Sequence, residues 1–220
     1  MPSPHPKDWA TLLRAAAAPA LAGTPLDFNA IDSPDRAMSW IEGFRDSAGN
    51  RRRVDRPLLC LLLGLDPGSA PEGKQDLALH ERLWWSLVRG DTLPIEVSGH
   101  DGPLTPAMQA QGIEAWTECE LSALHALWSI ARIRKDARLH ERAKSAARWL
   151  MRDIQPDNAT NRPWAAHVFL GLSREEGDDA GLYARTLIHN AMIPDGMPER
   201  FSACILRHAA AELECMDAVL

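Results

Sequence analysis

The sequence predicts an all-α domain built of stacked helical hairpins, and three observations carry that prediction. Apolar residues recur at helical spacing through most of the chain, as in Leu121, Leu124, Trp128 and Ala131. Ala and Leu, both good helix formers, dominate, while the strand-favouring Tyr occurs once against eight Trp and four Phe. Two windows resemble one another, Trp85-Ser86-Leu87-Val88-Arg89 and Trp128-Ser129-Ile130-Ala131-Arg132, at an offset of 43 (128 − 85). A helix pair with its two turns occupies roughly 40 residues in known helical repeats, so the offset fits a hairpin period.

The elements follow in order. Trp9 to Ala22 is apolar, but Arg14 and Pro19 interrupt it, so it reads as a short helix rather than a secretory segment. Ser33-Pro34 reads as a cap followed by a first-turn proline, with Ala37, Trp40, Ile41 and Phe44 after it. Leu58 to Leu65 is fully apolar and is helix or strand by period alone. Asp76 to Arg89 is helical, with Leu79, Leu83 and Leu87 on one ridge. Residues 90–112 form a long loop rich in Gly, Pro and Ser, of a length more often functional than merely connecting.

Thr117-Glu118-Cys119-Glu120 matches a capping box, with Trp116 and Leu121 as its hydrophobic staple, and predicts a helix from Thr117 to about Arg134. After the Lys135-Asp136 turn, Leu139, Ala143, Ala146, Ala147 and Leu150 mark a second helix, stopped by Gln155-Pro156-Asp157-Asn158. Asn161 and Pro163 open a third, carrying Trp164, Ala165, Val168, Phe169 and Leu172. A fourth, with Leu182, Thr186, Leu187 and Ala191, lies between Glu176-Gly177-Asp178 and Ile193-Pro194. The last begins near Pro198 and uses Phe201, Ile205, Ala209, Leu213 and Met216. Residues 1–220 thus read as one helical domain, with N-terminal helices in 1–55.

Composition narrows the function classes. Twenty-four basic and thirty acidic residues give a formal charge of −6, the wrong sign for a nucleic-acid face. Arg51, Arg52, Arg53 and Arg56 form a basic knot, read as a solvated loop with a phosphate site as the alternative. Cys60, Cys119, Cys204 and Cys215 make no C-x-x-C pair and sit among apolar neighbours, which predicts buried free thiols in a reducing compartment. The longest apolar run is eight residues, Leu58 to Leu65, against the roughly 20 needed to span a bilayer, so a cytoplasmic protein with no membrane contact is expected.

From Leu121 to Leu150, paired Ala/Leu-rich helices split by a Lys-Asp turn resemble one hairpin of the α/α toroids, the architecture of six-hairpin glycosidases, some polysaccharide lyases and terpenoid cyclases. The resemblance covers roughly residues 76–220 and rests on pattern. Six hairpins at this period need more than 220 residues, so it implies an incomplete toroid or a short HEAT-like α-solenoid. No catalytic residue of those families transfers to a numbered position.

Candidate chemistry is sparse. Glu120 lies on the apolar ridge, but its capping box accounts for it, and the same cap places Glu114 outside the helix, away from Glu118 and His125. His208 and Glu212 stand at i,i+4 beside the terminal helix's apolar stripe, which predicts a half-buried His–Glu hydrogen bond, with a shared proton or a shared metal as the alternative, the metal needing a further ligand that the sequence does not reveal. His100 and Asp101, in Ser98-Gly99-His100-Asp101-Gly102, give the long loop a polar turn. His100, Asp101, His208 and Glu212 are therefore the binding candidates, with no metal site and no cofactor expected. Asp157-Asn158-Ala159-Thr160-Asn161 lacks calcium-loop spacing and reads as turn and cap chemistry. His125, His167 and His208 recur at offsets of 42 and 41, but eight histidines in 220 residues supply even spacings by chance, and no site is assigned to them. Trp84, Trp85, Trp116, Trp128, Trp149 and Trp164 read as core rather than a sugar platform. The expectation is a helical-hairpin binding module for a protein partner, or a homodimer, with an α/α-toroid-like enzyme acting on carbohydrate as the alternative.

Overall fold

The structure, a computed structural model, describes residues 5–27, 33–69, 77–91, 101–156, 160–193 and 195–217. Among these, nine α-helices and one 3-10 helix account for all regular structure: α1 (Pro6–Leu21), α2 (Pro34–Gly43), α3 (Asp55–Leu63), α4 (Leu79–Arg89), the 3-10 helix Pro106–Gln111, α5 (Ile113–Arg134), α6 (Ala137–Asp153), α7 (Ala166–Glu176), α8 (Asp178–Asn190) and α9 (Arg200–Asp217). The all-helical reading therefore holds, and the ambiguous Leu58 to Leu65 run is helix over most of its length. No helix of the described residues is long and apolar enough to cross a membrane.

Successive helices pack as neighbours, α4 with α5, α5 with α6 and α7 with α8, while α9 packs against α1, α3 and α7. The α1–α9 seam is made by Ala10, Leu13, Ala17 and Leu21, whose i, i+3, i+4 spacing gives one apolar stripe. Small residues bring the two backbones close, and Arg14 pairs with Glu214 at the rim. Trp84, Trp164, Phe169 and Phe201 fill the centre, each with at most 1% of its surface exposed. Core packing thus accounts for most of the tryptophans, as expected.

Several local signals act as read. Ser33 Oγ accepts from the Arg36 amide at the start of α2, and Asp136 caps α6 by accepting from Arg138 and Leu139. Others are corrected. Helix α5 starts at Ile113, four residues before the proposed cap, because Gly112 with φ 94 turns the chain there. Thr117 lies inside the helix, its hydroxyl donating to the Ile113 carbonyl at 2.7 Å, and Glu114 sits in the first turn. Trp164 and Ala165 precede α7, with Ala165 in the left-handed region at φ 56. On α8 the inward stripe is Ala180, Tyr183, Ala184 and Leu187, while Leu182 is exposed. Cys60 and Cys204 are buried, but Cys119 is half-buried and Cys215 exposed, so the expectation of four buried thiols fails on α9's outer face.

Candidate functional site

Two constellations of polar groups stand out, one sealed and one open. The sealed one joins three helices. His125 on α5, His167 on α7 and His208 on α9 meet in the core, with ring centroids 4.2 Å apart for His125–His167 and 5.0 Å for His125–His208. The near-even spacing, to which no site was assigned, belongs to three histidines that meet in space. Trp84 and Trp164 wall the cluster, with centroids 5.3 and 5.5 Å from His125. Trp84 is itself fixed by its indole N–H donating to Ser122 Oγ at 3.0 Å.

A backbone amide sets the tautomers. The Ala165 N–H donates to His125 Nδ1 at 3.1 Å, so that nitrogen carries no proton. His125 Nε2 then bears the hydrogen and donates to His208 Nδ1 at 2.8 Å. His208 Nε2–H in turn faces Glu212 Oε1 at 3.9 Å, too long for a hydrogen bond. The expected His–Glu hydrogen bond is therefore replaced. Glu212 belongs to Arg132 of α5, which donates from Nε and Nη2 to its two oxygens, both at 2.7 Å. Burial opposes ionisation of Glu212, but the Arg132 guanidinium and the two neighbouring histidines hold its carboxyl below the usual range.

The histidines are kept neutral. Burial, reinforced by the neighbouring imidazoles, holds His125 well below its ordinary value, and burial likewise lowers His208. His167 is lowered to about 3, chiefly by burial, and neither of its ring nitrogens has a hydrogen-bond partner. Both nitrogens of His125 and one of His208 are already engaged. Consistent with this, no group of three or more His, Cys, Asp or Glu among the described residues is arranged to hold a metal ion.

Of the predicted site residues, His208 and Glu212 come together, but in this sealed core. Asp101 lies far from them in the chain and accepts from Ser145 Oγ on α6 at 2.7 Å, on the surface. His100 lies outside the described residues, as do residues 157–159 of the Asp157 turn. Glu120 is neither cap nor free acid. Its buried carboxylate accepts from the Leu104 amide at 2.5 Å and from the Thr105 amide and hydroxyl at 2.7 Å each, pinning the end of the long loop to α5. Trp116 completes the latch by donating its indole N–H to the Thr105 carbonyl.

The open constellation is the arginine knot. Arg51, Arg52, Arg53 and Arg56, with Ser69 and Trp85, line a cleft of about 410 Å³. The segment is anchored from behind. Asp46 accepts from the Ala48 and Asn50 amides and also pairs with Arg52 at 2.8 Å and Arg162 at 3.1 Å. Arg162 further pairs with Glu199, and both Arg52 and Arg162 lie over the Phe201 ring, tying the knot to α9. Asp55, at the start of α3, accepts the Arg52 amide at 2.7 Å; burial pushes its carboxyl up to about 6.

No protein-family model matches the chain, and no curated protein or solved structure matches it. The function must be read from these two constellations.

The cleft's donors are unevenly spent. Arg51 reaches only the Glu42 carbonyl and Arg56 only the Pro67 carbonyl, each at 2.8 Å, so among the described residues neither has a carboxylate partner. Arg53 faces Glu81 at 3.6 Å. Arg52 Nη1 and Trp85 Nε1 are buried with no partner. The sequence showed the four arginines; it did not show Trp85 joining them from α4, nor that donors would be left over.

Proposed function

We propose that the chain is a non-catalytic helical binding module that engages an acidic segment of a partner protein in the arginine-lined cleft. The observation that carries this reading is the chemistry of the lining. Four guanidiniums, a hydroxyl and an indole line the cleft, with no carboxylate among the described lining residues. Such a surface rejects cations and attracts anions, and guanidinium forks match carboxylates two bonds at a time. The volume suits a short run of side chains.

The paired α5–α6 and α7–α8 hairpins support an α/α-hairpin scaffold that positions loops for binding, and α9 set against α1, α3 and α7 supports a closed arrangement over a linear stack. The candidate acids and bases of the core, His125, His167, His208 and Glu212, are 5% exposed or less, which withholds them from a substrate. That favours binding over the carbohydrate-enzyme alternative.

The test is fluorescence anisotropy of a labelled oligoglutamate peptide titrated with the whole chain. Saturable binding that weakens with added salt and is lost in the Arg51→Glu/Arg56→Glu variant is the expected result. A peptide that binds the variant as well as the parent chain overturns the assignment of the cleft.

A further inference from the structure

The lining of the cleft is more specific than a general positive patch, and this inference rests on the reading of the cleft as an anion site. We infer that it holds a phosphate dianion, carried by the partner segment as a phosphorylated side chain or taken up as the free ion. The first ground is charge. Asp46 and Glu81 are set against Arg52 and Arg53, whereas Arg51 and Arg56 have no carboxylate partner among the described residues. Two uncompensated positive charges in one cleft match a group that carries about −1.5 to −2 at neutral pH better than they match a single carboxylate.

The second ground is the count and burial of donors. Trp85 is 96% buried (4% exposed) and its Nε1 has no partner, and Arg52 Nη1 is also buried and unpartnered. A buried N–H without an acceptor is a desolvation cost left standing in the fold, and groups of this kind are rare enough to need an explanation. Two of them belong to residues lining the same cleft. With the N–H groups of Arg51 and Arg56 they bring to the lining more donors than the two oxygens of a carboxylate can accept, a supply that suits the oxygens of a phosphate. Asp55 and Glu118 are the adverse neighbours: Asp55 Oδ2 accepts the Arg52 amide at 2.7 Å while its Oδ1 is buried and unpartnered among the described residues, and Glu118 lies 3.8 Å from Arg52 Nε, so both belong to Arg52 and leave Arg51 and Arg56 without a carboxylate.

The experiment is calorimetric titration of the full chain with sodium phosphate, with sodium acetate at matched ionic strength, and with a phosphoserine peptide beside its glutamate counterpart. Phosphate is expected to bind at least about tenfold more tightly than acetate, and the phosphopeptide at least about tenfold more tightly than the glutamate peptide. Arg51→Gln/Arg56→Gln, checked for folding by circular dichroism, should lose most of this preference. Trp85→Phe, which removes the indole N–H together with the five-membered ring and is checked for folding in the same way, should weaken phosphate several-fold and leave acetate unchanged. If phosphate binds but the phosphopeptide gains nothing over it, the site serves the free ion and the inference holds in that form. If the glutamate peptide binds while phosphate matches acetate, the dianion is overturned and the acidic-partner reading survives. If no anion binds, both fall.

Discussion

Replacing His167 by Leu should make the protein markedly less sensitive to acid. His167 is fully buried, lacks any partner for either ring nitrogen, and has its ionisation lowered to about 3 by burial. In the unfolded chain the same imidazole titrates near 6.5. Below that pH the unfolded state binds a proton that the folded state refuses, so stability is complete above about 6.5 and falls as pH drops toward 3. The slope is about 1.4 kcal/mol per pH unit for each such group, or about 2 kcal/mol lost by pH 5 from His167 alone. His125, held well below its ordinary value, loses stability on the same slope, and His208 adds to it in the same direction. The loss of about 2 kcal/mol from His167 alone is already a sizeable part of the 5–15 kcal/mol of a typical domain. Leu fills a similar volume without titrating and removes two unsatisfied nitrogens, so the variant should be no less stable at neutral pH. Urea unfolding at pH 7 and at pH 5, followed by tryptophan fluorescence, measures both numbers, since Trp84 and Trp164 sit against the cluster. The wild type should lose about 2 kcal/mol more than His167→Leu between the two conditions. Equal losses would refute the buried neutral cluster, as would an imidazole NMR titration near 6.5 in the folded protein.

Two further substitutions test the fold itself. Glu120→Ala strands the Leu104 amide and the amide and hydroxyl of Thr105 in the interior, and should cost at least about 3 kcal/mol at roughly 1 kcal/mol or more per orphaned donor. Thr117→Ala loses one intrahelical hydrogen bond and should cost about 1 kcal/mol or less; similar losses for the two, measured by urea unfolding, would restore the capping box. Lys135 ends α5 in the left-handed region at φ 52, so Lys135→Gly should stabilise by about 1 kcal/mol in thermal unfolding, and a loss would show that this backbone is not strained.

Helix content, most turns and the packing of the tryptophans were legible because they follow from periodicity and local chemistry. The start of α5 was not, and the reason is specific. Thr117 and Glu120 stand at capping-box spacing, yet that spacing says nothing about a loop returning from residues 104–105 to claim the carboxylate. A tertiary partner outbid the local one. Glu212 repeats the lesson: its i,i+4 neighbour His208 is visible in the sequence, whereas Arg132, eighty positions away, is the residue that holds it. The three histidines showed in the sequence only as a near-even spacing of 42 and 41, which by itself assigns no contact. Only packing of α5, α7 and α9 around one centre turns that spacing into contact.

The two constellations also explain one another. Inside, Glu212 is answered by Arg132 and Asp46 by Arg52 and Arg162, and the histidines are neutral. A base kept neutral near pH 7 is chemically fit to take a proton, but with 0% exposure His125 and His167 meet no reactant. Buried networks of this kind fix which helices pair, because a wrong pairing would leave a charge or an N–H stranded. Such specificity costs stability in acid, and the groups it leaves unpartnered in the interior, the His167 nitrogens among them, are sealed from solvent. Unspent capacity remains at the cleft, where Arg51 and Arg56 lack carboxylates and Trp85 lacks an acceptor. The proposed binding role rests on that contrast between a sealed histidine cluster and a cleft whose arginines have donors to spare.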